Sequence, residues 1–89
     1  MSPEKTRELH ESLSDLLGRL RAEDEQSDET VRELEQLHNE LGQLLEQRDA
    51  TPAPIAGRLR NTLERFEAKH PRTALLVGRI AESLSEMGL

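Results

Sequence analysis

A chain of 89 residues, 34% apolar and 34% charged, with no cysteine and Phe66 as its one aromatic residue, holds material for a single modest core. Without cysteine there is neither a disulfide framework nor a thiolate metal site, and a formal net charge of −6 opposes bulk binding to phosphate backbones. No apolar run approaches the roughly 18 residues that a membrane span requires.

Leucine dominates the apolar set while valine and isoleucine are scarce. Unbranched side chains lose little rotamer freedom in a helix, so the composition points to an all-α protein forming one domain over 1–89. The lack of cysteine fits a reducing cytoplasm, and no basic segment followed by an apolar one resembles a secretion signal.

Ser2 followed by Pro3 is a start signal: serine caps free N–H groups, and proline at the first helical position gives up no bond. Helix 1 is predicted over about 3–22, with Leu9, Leu13, Leu16, Leu17 and Leu20 in one narrow stripe. Its other faces are charged, with Arg7 and Glu11, and Asp15 and Arg19, four residues apart on a solvated surface. The stretch EDEQSDE at 23–29 carries five carboxylates and no base. Ser27 or Asp28 in it caps helix 2, predicted over about 28–48 with Glu29 in its first turn. The stripe of helix 2 (Val31, Leu34, Leu37, Leu41, Leu44, Leu45) is broader, and implies more than one packing partner.

If helices 1 and 2 fold back on each other about a turn near residue 25, facing positions have a constant sum. Leu9 with Leu41, Leu13 with Leu37 and Leu16 with Leu34 all sum to fifty, and Leu20 with Val31 misses by one. The apolar ladder therefore closes as an antiparallel hairpin. The linker 49–53 ends helix 2 with Pro52, and Pro54 follows. Helix 3 is predicted over about 54–69 (Ile55, Leu59, Leu63, Phe66), and helix 4 over about 71–87 (Leu76, Val77, Ile80, Leu84, Met87), with Gly88 as its stop.

The start SPEKTRELHESLSDLL, the Leu-rich acidic middle and above all the ending RFEAKHPRTALLVGRIAESLSEMGL resemble a family of small bacterial proteins, domain of unknown function 4404. The likeness spans nearly the whole chain. Its most specific part is Phe-Glu-x-x-His-Pro followed by a helix that ends in Met-Gly. The resemblance implies a short, bacterial, cytoplasmic helical protein, and it carries over no catalytic residues.

Few residues carry chemistry. His10 and His38 edge their stripes at similar heights, where two imidazoles with Glu11 or Glu35 would attract a divalent metal, but no motif spacing completes a ligand set. Boundary histidines flanking the core are the simpler reading. EDEQSDE lacks the spacing, glycine and terminal glutamate of a calcium loop. Arg58, Arg60, Arg65, Lys69 and Arg72 make the C-terminal half locally basic, without aromatic residues for base stacking. Serine, histidine and aspartate occur at the level expected of so polar a chain, so no enzyme, cofactor or metal is expected.

His70-Pro71 interrupts the helical pattern. Proline disfavours helix at the residue before it and donates no N–H, so a break is the default, with Pro71 opening helix 4. The alternative is one kinked helix, on the order of 50 Å at 1.5 Å per residue, whose end would need a second chain. The expected architecture is thus an antiparallel hairpin of helices 1 and 2 plus two helices joined at His70-Pro71, as a helical bundle or coiled-coil-like dimer. The expected function is non-catalytic: protein–protein interaction or oligomerisation, with a homodimer favoured, an unknown protein partner and no membrane. The expected surface is Leu34, Leu41, Leu45, Arg58, Arg65, Leu76 and Ile80. A small nucleic-acid-associated regulator using the basic helix 3 is the alternative.

Overall fold

Leucines spaced three and four residues apart share one side of a helix, and the chain is helical wherever that spacing holds. The computed structural model describes residues 3–22, 29–47 and 53–86. Its elements are α1 (Pro3–Ala22), α2 (Glu29–Leu45), α3 (Ala53–Lys69), a 3-10 turn (Pro71–Thr73) and α4 (Ala74–Glu86). The acidic stretch at 23–28, with its Ser27 or Asp28 cap, most of the 49–53 connector and the Met87-Gly88 stop lie outside the described residues. Helix α2 ends three residues before the expected boundary. Its last turn tightens as Glu46 N–H donates to Gln43 O and Gln47 N–H to Leu44 O.

The four helices form a closed ring in which α1 packs on α2 and α4, and α3 on α2 and α4. Cross-helix pairs show every neighbour to be antiparallel. Lys5 at the start of α1 meets Glu86 at the end of α4 at 2.9 Å, while Glu40 meets Arg58 at 3.0 Å and Glu33 meets Arg65 at 2.6 Å across α2 and α3. The hairpin register holds as well: His10 stacks on His38, and Ser14, one turn further along the same edge of α1, bonds to the same ring beside the leucine ladder. Leu59 with Leu84, Leu63 with Ile80 and Phe66 with Val77 also keep a constant total, so α3 and α4 repeat the arithmetic of the first hairpin.

The core is mostly leucine. Leu9, Leu13, Leu16 and Leu20 of α1 and Leu34 and Leu41 of α2 are fully buried, and Phe66 is the largest side chain to be so. The broad stripe of α2 has its two partners within the chain: α1 covers one edge and α3 the other. Among the described residues no helix is long and apolar enough to cross a membrane.

The chain turns at His70-Pro71. The helical bond from His70 N–H to Phe66 O is the last of α3, and His70 then leaves helical geometry at φ −132°, ψ 70°. The buried Thr73 anchors the far side, its hydroxyl donating to His70 O at 2.8 Å and its N–H to the same oxygen at 3.2 Å. The molecule measures 36 × 21 × 17 Å, too short for the kinked 50 Å helix.

Two substitutions test this packing by urea denaturation. Leu37→Asp puts an unpaired charge at a site only 2% exposed and is expected to cost at least about 3 kcal/mol, so unchanged stability would refute the register. Thr73→Val removes one bond at the corner and is expected to cost about 1 kcal/mol.

Candidate functional site

Of the surface expected from the sequence, the apolar part turns inward. Leu34, Leu41 and Ile80 are fully buried in the chain's own core, because α2 and α4 each lie between two neighbours. Leu45 and Leu76 are half-buried, Leu76 packing against that core. Arg58 and Arg65 are exposed, but each is paired across the α2–α3 seam, Arg58 with Glu40 and Arg65 with Glu33. The structure does not bring the seven together into one patch.

His10 and His38 do meet. Their rings stack at 4.1 Å with 16° between planes, and Ser14 Oγ lies 2.5 Å from His38 Nε2. Gly42 makes room for them: a Cβ there would come within 3.3 Å of His10 Nε2. Burial pushes the His38 imidazole below its usual value, the positive charges of His10 and Arg21 add to this, and a hydrogen bond with Asn39 opposes it. Ser14 and His38 have the contact from which an activated nucleophile is made. Both sit within helices, however, where backbone N–H groups are committed to helical bonds and none remains to stabilise an oxyanion. Among the described residues no group of three or more histidines or carboxylates is placed to hold a metal ion.

His70 stacks on Phe66 at 4.4 Å, with 17° between planes. It therefore covers the largest core side chain at the corner, which is a structural task.

Two surfaces are shaped for contact. The groove between α1 and α4 is lined by Glu8, Glu11, Asp15, Glu82 and Glu86 against a single base, Arg79. At its end Glu86, by hydrogen bond and then by charge, holds Lys5 above its usual value. The second surface is the outward face of α4. Ala74, Leu75, Gly78, Ala81 and Ser85 are all exposed, and Leu75, at 86%, is the large apolar side chain left in water among the described residues. Nothing lies within 4 Å of a Cβ at Gly78, so the backbone there is open to close approach. Sequence reasoning missed this face because Leu75 stands beside Leu76 and Val77, and an apolar run does not by itself say which member turns outward.

Compared with known proteins, residues 9–89 match the model of a family described as Domain of unknown function (DUF4404). No curated protein and no solved structure matches the chain.

The lowered His38 value gives stability a pH dependence. The folded chain favours the neutral ring, so its contribution is complete above the ordinary histidine value of 6.5 and is lost as pH falls from there through the depressed folded value. Denaturation midpoints should therefore fall between pH 7.5 and 5.5 in the wild type, and fall less in His38→Gln. Equal slopes for the two would remove His38 as the cause.

Proposed function

The chain belongs to the DUF4404 family, and from that premise we propose that it is a non-catalytic protein-interaction module that docks protein through the outward face of α4. The observation that carries this reading is Leu75, 86% exposed on a helix whose opposite side is built into the core. A solitary exposed leucine is ordinary. This one lies on a face where the small side chains Ala74, Gly78 and Ala81, with Glu82 among them, let another backbone come close. The four helices are complete as a bundle, so the face serves no need of the fold itself.

A nucleic-acid role is the weaker reading. Arg58 and Arg65, half of the basic residues that α3 carries, are already neutralised by glutamates of α2. A bacterial, cytoplasmic setting is part of the proposal and rests on the family likeness and on the lack of cysteine.

Leu75→Glu tests the proposal. The position touches water, so the variant should melt within about 0.5 kcal/mol of wild type. Proteins retained by the immobilised wild type at native expression should be lost with the variant, as read by mass spectrometry. Identical retained sets would overturn the reading. Retention of nucleic acid that falls steeply with salt would favour the regulator instead.

A further inference from the structure

Resting on the reading that α4 is the docking face, we infer that its occupant is a second copy of this chain, packed antiparallel about a two-fold axis near Gly78, with each Arg72 set against the Glu82 of the other copy. A two-fold interface must be complementary to itself, so one patch has to carry both halves of every contact. The outward side of α4 does so. Arg72, in the 3-10 turn that leads into it, and Arg79 at its middle are basic, and its C-terminal half is acidic at Glu82 and Glu86.

Helical geometry gives the direction. At 100° per residue, Ala74, Leu75, Gly78, Ala81, Glu82 and Ser85 fall within about 60° of one another's mean direction, while Arg79 flanks the side nearer α1 and Arg72 precedes the helix in the 3-10 turn. An axis crossing the face at Gly78 brings that flank against its own copy in reverse order. Position 72 then stands level with about position 84, within reach of Glu82 and the mouth of the acid-lined α1–α4 groove. Parallel packing would instead set the basic ends level with each other.

Arg72 and Glu82 are exposed and make no hydrogen bond or ion pair within the described residues, so both are available across the axis. Leu75, the exposed apolar side chain, falls opposite the partner's Gly78–Glu82 segment. The groove's five carboxylates outnumber Arg79 and the Lys5 that pairs with Glu86, and the excess supplies an attraction for the incoming guanidinium that a neutral partner would leave unused.

The contact is small. Thirteen residues of α4 span about 20 Å, so one helix pair falls below the roughly 1,200 Å² of a standard interface, and the dimer is of the weak, concentration-dependent kind.

Sedimentation equilibrium at low salt, over a wide range of concentration, tests the pairing with wild type, Arg72→Glu, Glu82→Arg, the double reversal Arg72→Glu/Glu82→Arg, and Leu75→Glu. Circular dichroism melting confirms that each variant folds. The expected result is a reversible dimer, weakened about tenfold or more by each single reversal and restored to within about threefold by the double one. A wild type that stays monomeric, or a double reversal no better than the singles, overturns the second-copy occupant. It leaves the docking face itself to the Leu75→Glu retention experiment. Dimerisation of Leu75→Glu as tight as wild type places self-association elsewhere and overturns the inference, while unchanged retention by that variant overturns the docking face separately.

Discussion

The bundle depends on the turn at Pro71. A proline has no N–H to give and crowds the residue before it, so α3 stops after the bond from His70 to Phe66. Because the chain turns there, α4 runs back along α3 and reaches α1 as well, closing the ring of four helices. Val77, Ile80 and Leu84 then complete a core whose other sides come from Leu13, Leu37 and Leu63. Thr73 holds the turn from the far side, satisfying its own buried hydroxyl on the His70 carbonyl. A straight continuation would have left the leucines of α1 and α3 half covered.

Closure of the ring also moves the problem of self-association to a different place. The width of the α2 stripe suggests, on sequence grounds, an arc that one neighbour cannot fill. In the folded chain α3 fills it, so Leu34 and Leu41 have no apolar surface to share with a second molecule. The face left over belongs to α4, the most apolar of the helices and the last in chain order. Charge on the seams follows the same division. Glu33 and Glu40 meet Arg65 and Arg58 across α2 and α3, whereas the α1–α4 seam carries more carboxylates than Lys5 and Arg79 offset.

Much of the fold was legible in the amino-acid order because an antiparallel pair of leucine stripes obeys a simple arithmetic. Leu9, Leu13 and Leu16 against Leu41, Leu37 and Leu34 gave the hairpin and its register, and the similar heights of His10 and His38 anticipated their stacking. Four helices and a proline corner followed from spacing and from the lost N–H. What the pattern did not reveal was outwardness. Periodicity places Leu75, Leu76 and Val77 on adjacent bearings, and only the packing of α4 against two helices at once decides that Leu76 is half covered while Leu75 is bare. Ile80 was misplaced on a surface for the same reason, since which side of an apolar helix is covered depends on neighbours distant in the chain. Ion pairing escaped as well: Arg58 and Arg65 read as a basic patch until the opposite helix sets a glutamate before each.

The Phe66–His70 stack has a practical meaning beyond its packing. With neither tryptophan nor tyrosine, the chain gives ordinary fluorescence nothing to report on. The benzyl ring of Phe66 lies face to face with the His70 imidazole one helical turn away, so its ring current shifts the imidazole protons upfield whenever the last turn of α3 is formed. Those proton resonances are a built-in magnetic label for the end of α3 from which the chain enters the corner.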